Sequence, residues 1–85
     1  MAIKAIKFYA DWCGPCKVYA KTWDKVTSKM NDVEFQNINI EKDTTGLAAK
    51  YKVTSIPHTV VIKDGKTKSE TGRLSENDLK NLILN

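Results

Sequence analysis

The residues with the clearest capacity for chemistry are two cysteines, Cys13 and Cys16, which are separated by Gly14 and Pro15. They stand where an apolar run gives way to a helical pattern. Proline lacks a backbone N–H and has a fixed φ, so Pro15 suits the first helical position, with Cys13 just ahead as a cap. The Cys13 sulfur would then lie at the positive end of a helix, where a thiolate can accept unpaired N–H groups.

This arrangement predicts a redox-active dithiol whose sulfurs have different roles. Cys13 is expected to be the nucleophile, because the helix N-terminus favours its anionic form. Cys16 lies inside the first turn and is expected to be more buried, so it is placed to attack a mixed disulfide on Cys13 and to release the product. Inert core cysteines are a weaker alternative, and a purely structural disulfide would close too short a loop to stabilise the fold much.

A structural zinc site is not expected. Zinc needs four ligands, and the sequence has no second Cys-x-x-Cys pair and a single histidine, His58, remote from the cysteines. We therefore expect no metal and no bound cofactor.

Residues 10–17, ADWCGPCK, resemble the active-site segment of thioredoxins. The order of later features also resembles that family: residues 55–57 (SIP) before an apolar strand, a turn at residues 63–66 (KDGK), and Gly72 ahead of a last helix. The resemblance covers nearly the whole chain. Thioredoxins usually carry a strand and a helix before the active-site strand, whereas here that strand begins at about Ile3, so the remaining elements resemble the minimal core shared with glutaredoxins.

Hydrophobic periodicity predicts the elements that position the cysteines. The expected elements are a strand over residues 3–10, a helix over 15–30, a strand over 33–40, a short helix capped by residues 43–45, a hairpin of strands at 59–62 and 67–71, and a last helix capped by Ser75. The helix between the first two strands favours their parallel pairing, and the Asp64-Gly65 turn favours an antiparallel hairpin at the sheet edge. The predicted fold is α/β and thioredoxin-like: one domain, residues 1–85, with a mixed four-stranded sheet and three helices.

The resemblance implies a cis peptide bond between Ile56 and Pro57, although only about 5–6% of X-Pro bonds are cis in folded proteins. That bond would turn backbone groups of Ile56 toward an extended substrate, which could pair as an added strand with its sulfur over Cys13. The expected substrate-binding groove is shallow and largely apolar, and it would be lined by Trp12, Gly14, Pro15, Ile56, Pro57 and Gly72. Trp12 could instead belong to the core, and His58 is expected to be a packing or surface residue.

Lys7 is the departure from the family with the largest chemical consequence. Six residues before the first cysteine, thioredoxins usually have a buried aspartate that is thought to manage the proton of the second cysteine and to pair with a lysine on the neighbouring strand. Lys7 and Asn37 stand at these positions, so the carboxylate base is absent and both are candidate modulators of the cysteine pKa. The lysine amine could extend past the strand into solvent, the interpretation we favour, or stay inside behind Cys16.

Composition and charge limit the compartment and the kinds of partner that we expect for this protein. With 85 residues, 41% of them hydrophobic, the chain can build one small core. It has no leader pattern and no apolar run near the ~18 residues of a membrane span, and its two cysteines suit a reducing compartment, so we expect a cytoplasmic protein. The net charge of +4 is dispersed, so nucleic acid is not an expected partner. Four lysines, Lys17, Lys21, Lys25 and Lys29, form a basic stripe that is either a solvated helix face or a docking edge for acidic partners.

The resemblance implies a monomeric reductase of protein disulfides, in which Cys13 attacks and Cys16 resolves. Its partners would be disulfide-containing proteins and a thioredoxin reductase, linked to NADPH or to ferredoxin. A glutaredoxin-like enzyme recycled by glutathione is one alternative, although glutaredoxins usually carry Cys-Pro-Tyr-Cys. A non-catalytic peptide-binding module that uses the apolar groove is the other.

Overall fold

A computed structural model describes residues 2–85 of the chain. Its strands are β1 (Ile3–Tyr9), β2 (Val33–Asn39), β3 (His58–Lys63) and β4 (Lys66–Thr71), and its helices are α1 (Gly14–Thr27), α2 (Leu47–Lys50) and α3 (Glu76–Leu84). The strands form one sheet in the order β2-β1-β3-β4. β1 is parallel to β2 and antiparallel to β3, and β3 is antiparallel to β4. The predicted α/β fold with a mixed four-stranded sheet is confirmed.

One face of the sheet packs against α1 and α3. Apolar residues recur at steps of three and four along both helices, which places them on one side of each. The members of this side with at most 1% exposure are Tyr19, Trp23, Val26, Leu79 and Ile83. The ring of Trp23 meets that of Phe35 on β2 edge-on, with 5.4 Å between centroids. This packing fixes α1 over β1, so that the start of α1 lies at the carboxyl end of that strand.

The other face of the sheet is covered with little regular structure. Its buried residues, Ile6, Phe8, Ile38 and Val60, are packed by side chains that lie between Ile40 and Ile56. The only helix in this covering segment is the four-residue α2. The second core therefore depends on irregular chain that leads directly to Pro57.

The helix α1 is shorter than its pattern predicts, ending at Thr27 rather than near Met30. The amides of Lys29 and Met30 donate to carbonyls three residues back instead of four, and the Ser28 hydroxyl donates to the Lys25 carbonyl at 2.8 Å. These bonds tighten the last turn and satisfy carbonyls that a longer helix would have used. At the other end α1 begins at Gly14, so Pro15 is its second residue rather than its first.

The cap of α2 also differs in detail from the prediction. Gly46 precedes the helix in a left-handed conformation (φ 75°) and offers no side-chain cap. The expected capping residues act from further back: the Asp43 carboxylate accepts from the Ala48 amide and the Thr45 hydroxyl from the Leu47 amide, both at 3.1 Å. The predicted cap of α3 is confirmed, since Ser75 Oγ accepts from the amide of Asp78 at 3.1 Å.

A buried hydrogen bond joins α1 to β3. The hydroxyls of Tyr19 and Thr59 lie 2.7 Å apart, and both residues are at most 1% exposed. Burial raises the pKa of Tyr19 to about 12, so the phenol stays neutral and can share this bond. Inside a small core, each hydroxyl depends on the other for its partner.

Removing both partners of this bond should destabilise the protein by less than the sum of the two single removals. Tyr19→Phe or Thr59→Val alone should each lower the free energy of unfolding by about 1–2 kcal/mol, because each leaves a buried hydroxyl unpaired. The double variant should lose less than the sum of the two. Urea denaturation of the four proteins measures this, and strictly additive losses would contradict the coupling.

His58 is packed on the other face, as the sequence suggested. It is 7% exposed, its Nδ1 lies 2.9 Å from Thr71 Oγ1, and its ring is 6.2 Å from that of Phe8. Its Nε2 has no hydrogen-bond partner among residues 2–85. Burial lowers the pKa of His58 below its ordinary 6.5, an effect that Glu70 only partly opposes.

Stability should therefore fall as the pH decreases from 7 toward 5. Over this range the unfolded chain protonates His58 near its ordinary pKa of 6.5, while the folded protein resists protonation, so protons favour the unfolded state. Asp43 and Glu76 also have lowered pKa values, from 3.8 and 4.5, and act only at lower pH. His58→Asn should flatten the fall of unfolding free energy measured by urea titration between pH 7 and 5; equal slopes in both proteins would refute this role.

Candidate functional site

The two cysteines lie where β1 passes into α1. After β1 the chain turns through a hydrogen bond from the Cys13 amide to the Ala10 carbonyl at 3.2 Å. Cys13 is the N-cap of α1 with an extended backbone, and its Sγ accepts the amide N–H of Cys16 at 3.1 Å. The predicted cap is confirmed. A sulfur held by a helix-terminal N–H is in a place that favours the thiolate.

Cys13 and Cys16 are joined by a disulfide, with their Cα atoms 5.2 Å apart. They are 4% and 3% exposed, so Cys16 is the more buried of the two, as expected, but only marginally in this oxidised state. Both sulfurs belong to one small cluster with Ala10, against which Ile56 packs. This neighbour covers Cys13 as fully as the helix covers Cys16.

The segment before β3 faces the dithiol. The Ile56–Pro57 peptide bond is cis, which confirms the expectation drawn from the family resemblance. Cys13 Sγ lies 3.9 Å from the Ile56 carbonyl oxygen. The Pro57 carbonyl is held by the amide of Gly72 at 2.8 Å, and Gly72 has φ 99°, a left-handed value that a side chain would strain. The fold thus brings Ile56, Pro57 and Gly72 together beside Cys13.

The remaining residues predicted for the groove are adjacent to the cysteines in the chain and face solvent. Trp12 is 66% exposed, so the alternative that it belongs to the core is wrong. Gly14 and Pro15 are also exposed, at the start of α1. An exposed indole beside a buried disulfide offers apolar surface to a partner.

Lys7 lies inside the protein, contrary to the interpretation we favoured. It is 6% exposed, and its Nζ is 5.3 Å from the ring centroid of Tyr9 and 5.7 Å from that of Trp23. The amine does not extend past the strand, because Lys7 points to the face covered by α1 and aromatic rings surround it there. Burial lowers the pKa of Lys7, and the carboxylate of Asp24 opposes this shift.

A cavity of about 320 Å³ connects Lys7 with Cys16. Its lining residues are Lys7, Tyr9, Ala10, Asp11, Cys16, Lys17, Ala20, Asp24 and Asn37. Asn37, the other predicted modulator, pairs directly with Lys7 in the sheet register. Asp24 was not singled out from the sequence, although residues 16, 20 and 24 follow a four-residue step that places them on one line of a helix.

The basic stripe is a solvent-facing row on α1, since Lys17, Lys21, Lys25 and Lys29 are all exposed. Lys29 pairs with Glu76 on α3 at 3.2 Å, and Glu76 also binds Lys80 at 3.0 Å. The first three lysines of the stripe make no ion pair within residues 2–85. They extend from the dithiol along the outer face of α1.

Neither a metal centre nor a membrane helix is found in the part of the chain that the structure describes. No three histidine, cysteine, aspartate or glutamate side chains of residues 2–85 are grouped to hold a metal ion. No helix in the same range is both long and apolar enough to span a bilayer.

The thioredoxin family model matches residues 2–85. A thioredoxin of Mycoplasma pneumoniae is 40% identical over 63 residues, covering 74% of this chain and 61% of that protein. The chain thus matches about three fifths of the length of this relative. A thioredoxin of Borreliella burgdorferi is 35% identical over 80 residues, covering 92% of this chain and 68% of that protein.

Known structures agree with the sequence matches. The X-ray structure of Fasciola hepatica thioredoxin superposes with a TM-score of 0.86 at 34% identity, covering 96% of this chain and 78% of that one. Oxidised mitochondrial thioredoxin 3 of Saccharomyces cerevisiae gives a TM-score of 0.84 at 30% identity, covering 95% and 76%. Family model, relatives and fold all agree, and the protein belongs to the thioredoxin family.

Proposed function

We propose that this protein is a thiol–disulfide oxidoreductase that reduces disulfide bonds in other proteins, with Cys13 as nucleophile and Cys16 as resolving thiol. The observation that carries the proposal is the hydrogen bond from the Cys16 amide to Cys13 Sγ at the start of α1. It gives the two thiols unequal environments, because one sulfur caps the helix and the other lies in its first turn. The family membership supports the same chemistry.

The reaction begins with the reduced dithiol. The Cys13 thiolate attacks one sulfur of a substrate disulfide, forms a mixed disulfide and releases the first substrate thiolate. The Cys16 thiolate then attacks Cys13 Sγ, which re-forms the Cys13–Cys16 bond and releases the second substrate thiolate. Each released thiolate takes a proton from water, and the two electrons gained by the substrate come from the dithiol. An external reductant, a thioredoxin reductase by analogy with the family, regenerates it.

The proposed substrate site lies along the cis Ile56–Pro57 segment. An extended substrate would pair with backbone groups of Ile56, placing its disulfide against Cys13. Trp12, Gly14, Pro15 and Gly72 would supply the surrounding surface. Because backbone pairing reads no particular side chain, this site suits disulfides in loops or unfolded segments of many proteins, in a reducing compartment such as the cytoplasm.

Replacing the resolving thiol should trap the first step. Cys16→Ser should accumulate a mixed disulfide through Cys13 when the reduced protein is mixed with a disulfide-containing protein such as insulin, because no second thiol completes the exchange. Cys13→Ser, the matched control, should accumulate far less. Non-reducing electrophoresis and peptide mapping measure both. The role assignment is reversed if alkylation of the reduced wild-type protein at neutral pH labels Cys16 faster than Cys13.

The reductant is identified in the same experiment series. Turnover of insulin is compared with NADPH and a thioredoxin reductase, and with glutathione and glutathione reductase. Faster turnover with the first system supports the thioredoxin-type enzyme. Faster turnover with glutathione supports the glutaredoxin-like alternative, and no turnover with either, with function retained in cells by a Cys13→Ser, Cys16→Ser variant, supports the binding module.

The basic stripe should act on encounter rather than on chemistry. Replacing Lys21 and Lys25 together by Glu should slow reduction of an acidic protein disulfide several-fold at low ionic strength, and the difference should shrink as salt rises. Reduction of hydroxyethyl disulfide, which is small and neutral, should be unchanged. The control is the pair Lys66→Glu and Lys68→Glu, which makes the same charge change on exposed β4. Equal losses on both substrates would show a folding defect instead.

A further inference from the structure

Lys7 is a buried charge that the proposed reaction does not use. Within residues 2–85, it is the only lysine, arginine, aspartate or glutamate that is buried. Burying an ammonium group costs free energy unless a partner offsets the loss of water. The groups around the amine must therefore explain why Lys7 can be buried below α1.

Aromatic faces hold the amine in place. Nζ lies 5.3 Å from the Tyr9 ring and 5.7 Å from the Trp23 ring, and both distances are within the ~6 Å over which a ring face attracts a cation. The Lys7 amine makes no hydrogen bond or ion pair within residues 2–85. No carboxylate contacts the ammonium directly. Its positive charge can therefore act on Cys16 across the cavity that both residues line.

The other charged groups around this cavity are more exposed or engaged elsewhere. From α1, Asp24 is exposed and favours the protonated amine, and Lys17 is exposed on the same rim. Asp11, after β1, is paired with Lys42 at 3.9 Å.

The adjacent strands add only one further charge. Next to Lys7 across the sheet are Asn37 on β2 and Thr59 on β3, both uncharged, and Glu70 on β4 lies one strand beyond Thr59. Tyr19, bound to Thr59, stays neutral because burial raises its pKa to about 12. Lys7 is thus the cation that borders Cys16 from the protein interior.

We propose that Lys7 accelerates the resolving step by favouring the thiolate of Cys16 after Cys13 has formed a mixed disulfide. This inference rests on the proposed function and assigns to Lys7 a role exerted through Cys16, without contact with the substrate. A buried positive charge near a thiol lowers the free energy of the thiolate, and protein on the inner side of the cavity screens this attraction less than bulk water would.

The step itself balances without another reactant. The Cys16 thiol releases its proton to water through the open side of the cavity, and the resulting thiolate attacks Cys13 Sγ. The Cys13–Cys16 bond forms, the bond from Cys13 to the substrate sulfur breaks, and the substrate leaves as a thiolate. Lys7 keeps its own proton throughout.

The test separates attack from resolution with one chromogenic disulfide, dithiobis(nitrobenzoate), used in equimolar amount with reduced protein. Attack by Cys13 releases one coloured thiolate, and resolution by Cys16 releases a second, so stopped-flow absorbance reports both. In Lys7→Met the second release should be about 10-fold slower at neutral pH, and the inflection of its pH profile should lie about one pH unit higher. The first release should be nearly unchanged.

Control variants separate charge from packing. Lys68→Met makes the same substitution at an exposed position of β4, outside the proposed site and the basic stripe, and should leave both releases as in the wild type. Lys7→Arg keeps a permanent cation and should retain the low inflection. Lys7→Gln provides a second neutral variant if Lys7→Met does not fold. A purely structural role would slow the second release at every pH without moving its inflection.

The outcomes are distinguishable. If the second release and its pH profile are unchanged in the neutral Lys7 variants, the role of Lys7 is refuted while the proposed function stands. If the wild-type protein shows no first release, or releases it through Cys16, the proposed function fails first.

Discussion

The chemistry of this protein depends on the packing of α1 across β1. That packing is made by large side chains, Tyr19 and Trp23 above all, which are 1% exposed. It sets the first turn of the helix at the end of the strand, where the Cys16 amide meets Cys13 Sγ at 3.1 Å. A hydrogen bond of this kind is weak by itself. Its value lies in orientation, because a rigid helix keeps the same N–H directed at one sulfur and away from the other.

Below α1, one row of cross-strand neighbours in the sheet is polar. Across the sheet, Asn37, Lys7, Thr59 and Glu70 are successive partners on the face below α1. Most of that face is apolar. Asn37 and Glu70 at the ends of this row are exposed, and Lys7 and Thr59 between them are buried. Their burial is tolerated because the Tyr19 hydroxyl pairs with Thr59 and aromatic rings contact the amine of Lys7. Burying a polar group costs free energy unless it finds a partner. Here the partner is a hydroxyl for Thr59 and a pair of aromatic rings for Lys7.

Much of the fold could be predicted from the sequence because local and long-range signals agree. The strand at Ile3, the helix after Pro15 and the Asp64-Gly65 turn each have a strong pattern, and parallel pairing follows from the helix between the first strands. Helix ends were less predictable: α1 stops at Thr27 because backbone and hydroxyl bonds tighten its last turn, which periodicity does not encode.

The site was predictable only in part. The cysteines and their cap follow from spacing, but a cis bond at Pro57 has no local signature and was expected only from the family resemblance. The prediction that the Lys7 amine reaches solvent was wrong, although a lysine on a strand more often does so. The rings of Tyr9 and Trp23 come from two separate elements, and only the tertiary structure shows that they enclose the amine.

The composition of β4 affects whether the protein aggregates with the chains that it is proposed to reduce. All six residues of this outer strand, Lys66–Thr71, are exposed and polar or charged. An open sheet edge can recruit other chains and seed aggregates, and lysines together with a lack of apolar side chains discourage such pairing. Under the proposed function, the protein must accept an extended polypeptide at the cis-proline segment and reject it elsewhere. At its own edge of the sheet β4 disfavours such pairing, so a chain that reaches this edge is less prone to remain there as an extra strand.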